Sequence, residues 1–562
     1  MHERIQKEVA EALSAAGAPQ TSFVVERPSE MAHGDYATNA ALAAAKLLKR
    51  EPRELASELA GRIEHSLGDS VLDVVVAGPG FINLTLSRET VAHTLAEADA
   101  HAGAWGKSEM GKGTRISIEY SNSNPFKEMH IGHLMSTIIG EALSRLIEAS
   151  GAGAVRDTFG GDVGPHVAKA LWGLMEKKAG DVATAKELGD AYARGSKAYE
   201  EDEKARQEID ALNVRIYDVV ARTEGLLLNP EDATLRTLWK KGREVSMEEF
   251  RRLLALLGTK LDFEFFDSDT TTIGTRVVND GIAKGIFEKS EGAVIYRGEK
   301  KGLHTLVFIT SRGTPTYETK DIGLAFLKEE RIQSDQVLIV TAAEQIGHFK
   351  VVLAALEEID PVVAKKTEHV PHGLLRLTRG KMSSRAGNVI TADELIRSVT
   401  RTASEKNADP LIAQQVALGA IKYMILRQAP GSDIIFDEEK SLSLEGDSGP
   451  YLQYALVRAK SVLAKQDAGS RTQEAGSPEE PYVLERLIIH FPEVVARASQ
   501  ERSPNMLTTY LTELASAWNS FYAQERIIGG DFEAYKLFVV RTFVHTMQNG
   551  LTLLGIPTPE RM

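Results

Sequence analysis

Two short segments of the chain carry residues that could bind the phosphates of a nucleotide. The first is His130-Ile131-Gly132-His133, between a strand-like stretch and a helical one. The free N–H groups and the dipole of a helix N-terminus attract anions, and imidazoles can donate hydrogen bonds to phosphate oxygens. Gly132 leaves room for adenine to lie against the backbone. This segment therefore predicts a nucleotide-binding turn.

The second segment is Lys381-Met382-Ser383-Ser384-Arg385, in a loop that also contains glycine. Lysine is a compact charge suited to the β- and γ-phosphates, and serine hydroxyls and loop N–H groups can hold further oxygens. Either segment alone is compatible with a capped helix or a solvated basic turn, because short motifs arise by chance. Together, in this order, they predict an enzyme that opens ATP at its α-phosphate.

A strand, a loop and a helix surround the first segment in that order. Residues 115–120 alternate between polar and apolar side chains, which is typical of a strand. Gly151 is placed where a helix would end. Before it, apolar residues recur at helical spacing, at Leu134, Ile138, Leu143 and Ile147. This order is the opening unit of a nucleotide-binding α/β sheet.

A helical insertion is expected to divide this sheet. Residues 176–265 are charged and helix-rich, and they interrupt the α/β pattern. Strand signals return at 293–296, 305–309 and 337–340. We therefore expect one parallel sheet whose strands lie on both sides of an insertion at about 176–265.

The chain has 562 residues, too many for one hydrophobic core, so several domains are expected. Residues 1–110 have the pattern of a small α/β domain. Residues 111–405, which contain both phosphate-binding segments, are expected to form a Rossmann-like catalytic domain with a parallel sheet. Residues 406–562 are almost entirely helical in pattern and are expected to form an all-α domain. The fold class is therefore α/β multidomain.

Composition limits the cofactors, partners and location. The chain has no cysteine, which excludes disulfides and thiolate zinc sites, so no bound metal and no zinc are expected. No stretch reaches the roughly 20 apolar residues of a membrane helix, and the N-terminus has the pattern of an amphipathic helix, so we expect a cytoplasmic protein. The net charge of −13 disfavours indiscriminate DNA binding but still allows a local basic groove.

The two segments resemble the HIGH and KMSKS motifs of class I aminoacyl-tRNA synthetases, and the surrounding sequence resembles the arginyl-tRNA synthetase family. The second segment departs from the usual motif at Ser384 and Arg385, so Lys381 is the safest residue to equate with the family. Lys127, just before the first segment, is either a further phosphate contact or an ordinary exposed lysine.

A pocket for arginine must satisfy a planar cation with five donors, which calls for carboxylates and can also use an aromatic ring. Tyr317 and Asp321 are four residues apart, which places them on one face if this segment is helical. Glu119 ends the strand before the first segment, Asn124 lies in the following loop, and Gln345 follows the strand at 337–340.

The resemblance implies a role for each of these residues. Asp321, Tyr317 and Glu119 would recognise the guanidinium group. Asn124 and Gln345 would hold the α-amino end. His130 would lie between arginine and ATP. Read one by one, each residue also has an ordinary structural explanation, such as a helix cap or a core ring.

The resemblance covers nearly the whole chain. The stretches HGDYATNAAL and AGPGFINLTL resemble the family's N-terminal domain, which contacts the elbow of tRNA. Residues 161–164 resemble its GDxG turn, but His166 stands where glutamine is common. Residues 445–454 resemble the start of the anticodon-binding domain, although a DALR tetrapeptide is absent. Candidate contacts with unpaired tRNA bases are Tyr451, Gln453, Tyr454 and Arg458.

The resemblance implies an arginine–tRNA ligase that acts as a monomer. It would activate L-arginine with ATP and Mg²⁺ to arginyl-adenylate and transfer the arginyl group to the 3′ end of tRNA(Arg). His130, His133 and Lys381 would stabilise the phosphate oxygens, with Gly132, Met382, Ser383 and Ser384 completing the ATP site. The alternatives are a nucleotidylyltransferase, and a catalytically silent synthetase-like protein with an RNA-binding or regulatory role.

Overall fold

The computed structural model describes residues 1–28, 30–176, 184–221, 229–378, 390–466 and 476–562. No helix within these ranges is both long and apolar enough to cross a membrane.

The N-terminal region is a small antiparallel sheet packed against helices. Its helices are α1 (His2–Ala15), α2 (Ala40–Leu48), α3 (Pro52–Leu67) and α4 (Arg88–His101). Its strands are β1 (Val25–Glu26), β2 (Tyr36–Thr38), β3 (Val71–Ala77) and β4 (Phe81–Leu86), in the spatial order β1-β2-β4-β3. Alternate residues of β4, such as Ile82 and Leu84, are fully buried against apolar faces of α1 and α3.

The middle of the chain alternates strands with helices. Its strands are β5 (Arg115–Glu119), β6 (Gly153–Gly160), β7 (Phe263–Phe266), β8 (Glu288–Ser290), β9 (Ala293–Tyr296), β10 (Leu306–Ile309), β11 (Gln336–Ala342) and β12 (Thr367–His372). Its helices are α5 (Ile131–Ala149), α6 (Pro165–Glu176), α7 (Ala185–Glu201), α8 (Glu203–Ala221), α9 (Pro230–Leu256), α10 (Asp267–Ala283), α11 (Tyr317–Arg331), α12 (Ile346–Ile359) and α13 (Pro361–Lys366).

Five of these strands form a parallel sheet in the order β12-β11-β5-β6-β7. From β5 the chain moves to one side through β6 and β7, and it later returns to the other side of β5 through β11 and β12. The strand order therefore reverses between β5 and β11. Ligands of such sheets bind beyond the carboxyl ends of the strands at this switch point. Glu119 is the last residue of β5, and Gln345 follows β11, so both lie at that edge.

The expectation of a single divided sheet was wrong for two strands. The signals at 293–296 and 305–309 correspond to β9 and β10, which pair with β8 in a separate antiparallel sheet. The signal at 337–340 lies within β11 of the parallel sheet, as expected. The parallel sheet also contains β7, inside the range assigned to the insertion. A short apolar segment has the same pattern in either sheet, because strand pairing is decided by long-range packing.

The C-terminal region is mainly helical, as the sequence predicts. Its helices are α14 (Ala392–Ser404), α15 (Pro410–Leu426), α16 (Glu438–Ser441), α17 (Gly449–Gln466), α18 (Val483–Ile489), α19 (Phe491–Gln500), α20 (Pro504–Gln524) and α21 (Glu533–Leu553). Two short strands, β13 (Leu375–Leu377) and β14 (Ile434–Phe436), pair in parallel where this region meets the middle of the chain.

Helix α5 connects the parallel sheet to the C-terminal helices. One face, with Leu143 and Ile147, packs on apolar residues of β5 and β11. The other face, with Leu134 and Ile138, belongs to the core of the C-terminal helices. The predicted helix end is also confirmed, since α5 ends at Ala149 and Gly151 follows with a φ of 88°.

The close contact of α5 with the sheet depends on Gly140. A Cβ atom built there would lie 2.3 Å from Cγ of Tyr120, a ring with no solvent exposure. The Tyr120 hydroxyl is fixed as well, by hydrogen bonds to Glu141 (3.0 Å) and Thr259 (2.8 Å). The ring therefore has little freedom to move away from the helix.

We expect Gly140→Ala to lower the free energy of unfolding by about 1–3 kcal/mol, because the methyl group overpacks the α5–β5 contact. Gly61→Ala is the matched control: Gly61 is also helical, in α3, but nothing lies within 4 Å of an added Cβ. This control should gain roughly 0.5–1 kcal/mol from better helix propensity. Denaturant unfolding followed by circular dichroism measures both, and equal effects would contradict the assignment of Gly140 as a packing constraint.

Candidate active site

The loop after β5 has a strained backbone, because several of its non-glycine residues have positive φ values. Ser121, Asn122 and Phe126 have φ values of 72°, 48° and 69°, in the left-handed region. The Asn122 side chain accepts a hydrogen bond from the Phe159 N–H at 3.0 Å. The Phe126 N–H donates to the Ser246 hydroxyl at 2.9 Å, and its ring is fully buried. Such strain persists because β6 and α9 fix the loop, a situation common at functional sites.

The turn at 161–164 fixes Asn124 on the far side of this loop. The Gly161 N–H donates to Oδ1 of Asn124 at 2.8 Å, and Nε2 of His166 lies 2.8 Å from the Gly161 carbonyl oxygen. Burial lowers the pKa of His166 to about 4, so the ring is neutral and donates through Nε2–H. His166 therefore supports the turn that orients Asn124.

The His130 turn presents two neutral imidazoles. His130 precedes α5, and its Nδ1 accepts from the Gly132 N–H at 3.1 Å, while Nδ1 of His133 accepts from the His130 N–H at 3.4 Å. Burial, followed by the charge of Lys127, lowers the pKa of His130. Burial, His130 and Lys127 lower the pKa of His133 further. Since each Nδ1 accepts a hydrogen bond, each neutral ring carries its proton on Nε2.

The two imidazoles are also stacked, with centroids 3.7 Å apart and planes 22° from parallel. Two Nε2–H donors thus lie side by side at the N-terminus of α5. The helix dipole and the free backbone N–H groups add to the positive potential there. This arrangement suits a group with several anionic oxygens.

The second phosphate-binding segment falls outside the described residues, so Lys381, Met382, Ser383 and Ser384 have no structural description here. The chain that follows it is anchored on the first segment. The Ile131 N–H donates to the Ile390 carbonyl at 3.3 Å, and the Ala392 N–H donates to the Met129 carbonyl at 2.7 Å. The described chain therefore resumes beside the N-terminus of α5.

Glu119 belongs to a buried ionic cluster. Its Oε2 lies 2.7 Å from Nζ of Lys328, which also lies 2.6 Å from Oδ1 of Asp157 on β6. The Asn122 amide donates to the other Glu119 oxygen at 2.9 Å. Burial lowers the pKa of Lys328, but Asp157 and Glu119 raise it by more, so the lysine stays charged. Burial and the charge of Glu119 raise the pKa of Asp157, while the Lys328 ammonium opposes that shift. With both carboxylates ionised, as their ion pairs with Lys328 favour, the cluster has a net charge of −1.

Asp321 belongs to a second ionic cluster. Its Oδ2 lies 2.5 Å from Nε2 of His348, and the other ring nitrogen lies 3.5 Å from Oε1 of Glu318. Burial lowers the pKa of His348, but the hydrogen bonds to Asp321 and Glu318 overcome it and raise the pKa to about 10. The imidazole is therefore a cation at neutral pH, and this cluster also has a net charge of about −1.

The two clusters meet at one place. Glu119 and Asp321 both line a cavity of about 30 Å³ between α11, β11 and α12, together with Lys328 and Phe349. Glu119 and Asp321, to which the resemblance gives the guanidinium group, therefore lie at one place in the fold. Sequence reasoning missed both cations. Lys328 is seven residues after Asp321, on the same helical face, and this spacing was the available signal.

Tyr317, four residues before Asp321 in the chain, and Gln345, three residues before His348, are both exposed. Tyr317 is the first residue of α11 and is 61% exposed. Its ring centroid is 5.1 Å from Nζ of Lys320, which pairs with Asp267 at 2.7 Å. Gln345 is exposed in the turn that connects β11 to α12.

The helical insertion lies over the same edge. The Tyr217 ring of α8 is 5.5 Å from Nζ of Lys320, and the Tyr192 ring of α7 is 4.7 Å from Nζ of Lys127. Lys127 is thus held against an aromatic ring beside the His130 turn. In the described part of the chain, no group of three or more His, Asp or Glu side chains is arranged to hold a metal ion.

The candidate tRNA-binding residues occupy different environments in α17. Gln453 is fully buried, and its amide donates to the carbonyls of Gln415 and Pro557 at 3.1 and 2.8 Å. It therefore supports the fold rather than an exposed RNA-binding surface. The Tyr451 hydroxyl accepts from Asn519 at 3.0 Å. Tyr454 is 38% exposed, and the Arg458 guanidinium lies 3.9 Å over the Tyr522 ring.

Sequence profiles of known families match most of the chain. Residues 95–438 match the class I tRNA synthetase (R) catalytic domain. Residues 452–562 match the DALR anticodon binding domain, although the tetrapeptide itself is absent. Residues 3–86 match the arginyl tRNA synthetase N terminal domain.

Individual proteins resemble the chain over its full length. It is 28% identical to the arginine–tRNA ligase of Halothermothrix orenii, over 100% of this chain and 99% of that protein. It is 30% identical to the arginine–tRNA ligase of Treponema pallidum, over 96% of this chain and 95% of that protein. The arginyl-tRNA synthetase structure from Thermus thermophilus superposes with a TM-score of 0.80 at 26% identity, covering all of both chains. The arginyl-tRNA synthetase structure from Plasmodium falciparum, at 18% identity, shares the fold with a TM-score of 0.78, covering 100% of this chain and 99% of that chain.

We expect Lys328→Met to lower the free energy of unfolding by about 3–5 kcal/mol, because Glu119 and Asp157 would remain buried without their cation. Lys366→Met is the matched control. It removes a partly exposed pair with Glu329, another α11 residue, at 2.8 Å, and should cost less than about 1 kcal/mol. Denaturant unfolding of both variants provides the comparison. A loss at Lys328 no larger than that at Lys366 would contradict the role of the buried cluster.

Proposed function

Because the chain belongs to the class I arginyl-tRNA synthetase family and is an arginine–tRNA ligase, we propose that its substrates meet at the switch point of the parallel sheet. Arginine lies with its guanidinium group toward Glu119 and Asp321 and its carboxylate toward His130. Two observations carry this proposal: a pair of net-negative clusters at the carboxyl edge of β5, and two Nε2–H donors at the start of α5, the helix that follows β5 in the chain.

In the first step, an oxygen of the arginine carboxylate attacks the α-phosphorus of ATP, which enters with Mg²⁺. The bond to the bridging oxygen breaks, and arginyl-adenylate and pyrophosphate form. The Nε2–H groups of His130 and His133 donate to phosphate oxygens as charge develops there. Being neutral, the imidazoles act as hydrogen-bond donors that need no change of protonation. Lys381 of the second segment neutralises the leaving pyrophosphate, with Met382, Ser383 and Ser384 lining the ATP site.

The guanidinium group is recognised by charge and shape. A planar cation with five donors can use the lone pairs of Glu119 and Asp321 that their internal partners leave available. Tyr317 covers the group from the exposed side, and Asn124 and Gln345 bind the α-amino end. A lysine side chain would leave some of these acceptors without donors, which disfavours it.

In the second step, a hydroxyl of the 3′-terminal ribose of tRNA(Arg) attacks the arginyl carbonyl, and AMP leaves. Among the described residues, no side chain near His130 is an obvious general base, so a phosphate oxygen of the adenylate accepts the proton. Catalysis then rests on positioning and charge neutralisation rather than on a covalent enzyme intermediate.

We assign the remaining domains to tRNA binding. Residues 1–110 contact the elbow of tRNA, residues 111–405 perform the chemistry, and residues 406–562 bind the anticodon, with Tyr454 and Arg458 offering a ring and a cation to unpaired bases. The protein acts as a cytoplasmic monomer and has no DNA partner.

Full-length similarity to arginine–tRNA ligases favours this function over the two alternatives. A nucleotidylyltransferase would not require the helical C-terminal region that matches the anticodon-binding domain. A silent RNA-binding protein would not need to keep both net-negative clusters together with the neutral His130 and His133 pair.

Pyrophosphate exchange into ATP, measured with each amino acid, tests the function. We expect exchange with arginine and with no other standard amino acid, and only when tRNA is present, as the family resemblance implies. Exchange with none of them would support the silent RNA-binding protein instead.

The role of Asp321 is tested by Asp321→Ala. We expect the KM for arginine to rise roughly tenfold to a hundredfold, since a charge-assisted hydrogen bond is lost, while the KM for ATP stays within about twofold. Glu330→Ala, which removes an exposed α11 carboxylate that does not line this cavity, is the control and should change neither value. Equal increases in both KM values would rule out Asp321 as the guanidinium acceptor.

A further inference from the structure

His348 connects the two elements that form the proposed arginine site. It lies in the first turn of α12, directly after the turn that holds Gln345, and both of its ring nitrogens face α11. Nε2 is 2.5 Å from Oδ2 of Asp321, and Nδ1 is 3.5 Å from Oε1 of Glu318. One side chain therefore links the guanidinium side of the site to the α-amino side.

The charges around His348 are mostly negative, because Lys328, the other cation that lines the cavity beside Asp321, is paired with Glu119 and Asp157. Glu318 and Asp321 lie three residues apart in the first two turns of α11, so their carboxylates share one face and repel each other. Glu119 at the end of β5 adds to this repulsion, and burial, together with Glu119 and Glu318, raises the pKa of Asp321. His369 of β12 also faces this site, but burial lowers its pKa to about 4, so it adds no charge.

Among the described residues, His348 is the ion-pair partner that the structure gives to Asp321. A carboxyl group in this position without a cation would tend to bind a proton. A protonated carboxyl has only weak acceptor capacity for a guanidinium group, and its hydroxyl would compete as a donor.

We propose that His348 is a positioning residue for arginine: its imidazolium keeps Asp321 ionised and occupies Oδ2, so that Oδ1 accepts a hydrogen bond from the guanidinium group. The same contact fixes the turn carrying Gln345 against α11. This inference rests on the proposed role of Asp321 in arginine recognition, and it adds a residue that acts through Asp321 rather than on the substrate.

The proposal makes a prediction about pH. In the natural protein the imidazole remains charged between pH 6 and 8, because its pKa is raised to about 10, so its effect on Asp321 is constant over this range. Without the cation, Asp321 protonates at higher pH, and the affinity for arginine falls as the pH is lowered. The KM for arginine should then become larger at pH 6 than at pH 8.

The test compares His348→Gln and His348→Lys with the natural protein in aminoacylation assays at pH 6, 7 and 8. Glutamine can donate a hydrogen bond but carries no charge, whereas lysine keeps a cation. We expect His348→Gln to raise the KM for arginine at pH 6 by about tenfold or more, with a smaller increase at pH 8 and an unchanged KM for ATP. At pH 6, the KM for arginine of His348→Lys should be close to that of the natural protein.

His545→Gln is the matched control for loss of an imidazole beside a carboxylate, since Nε2 of His545 lies 3.8 Å from Asp99 on the distant α21–α4 contact. It should leave both KM values unchanged at each pH. An arginine KM of His348→Gln that keeps the pH profile of the natural protein would overturn the inference. The inference would also be overturned if the KM for arginine at pH 6 were as high in His348→Lys as in His348→Gln.

The variant Asp321→Ala separates this inference from the proposed function. If Asp321→Ala leaves the KM for arginine unchanged, the assignment of Asp321 itself fails, and His348 loses its role with it. If Asp321→Ala raises the KM but His348→Gln does not, only the inference about His348 fails. When the assignments of Asp321 and His348 are both correct, the double variant Asp321→Ala/His348→Gln should have a KM for arginine no higher than that of Asp321→Ala alone, because His348 acts through that carboxylate.

Discussion

A buried carboxylate remains ionised only where a cation or several hydrogen-bond donors stabilise its charge, and this constraint organises the carboxyl edge of the parallel sheet. A site for a guanidinium group needs negative charge in a partly dry place, yet an unpaired carboxylate there would bind a proton instead. Each of the two clusters meets this need with two carboxylates around one internal cation, Lys328 or His348. One net negative charge per cluster remains for a ligand.

Two helices, α11 and α5, carry most of the side chains of the proposed active site. α11 supplies Asp321, Glu318 and Lys328, so its position sets both clusters at once. α5 supplies the His130 turn and packs between the sheet and the C-terminal helices, with Gly140 allowing close contact with Tyr120. The proposed phosphate-binding donors are therefore built on the helix that joins the parallel sheet to the proposed anticodon-binding region.

The sequence predicted local features well because their causes are local. The His130 turn is recognisable because the spacing of apolar residues along the chain predicts a strand before it and a helix after it. The end of α5 at Gly151 followed from the same reasoning. The strands at 293–296 and 305–309 were found, but their sheet was not, because pairing partners are chosen by contacts far apart in the chain. Lys328 and His348 were missed for a similar reason, since a buried lysine and an exposed one have the same sequence signature.

The sequence by itself determined the family, the α/β multidomain fold class, and the types of residue available for phosphate and guanidinium binding. It could do so because motif residues and helical periodicity lie within a few positions of one another. Only the tertiary structure decided the charge state of the site. The protonation of His348, the neutrality of His130 and His133, and the pairing of Glu119 with Lys328 depend on burial and on neighbours from other elements. The electrostatic environment of a side chain is set by what surrounds it in space, and the order of residues along the chain does not contain it directly.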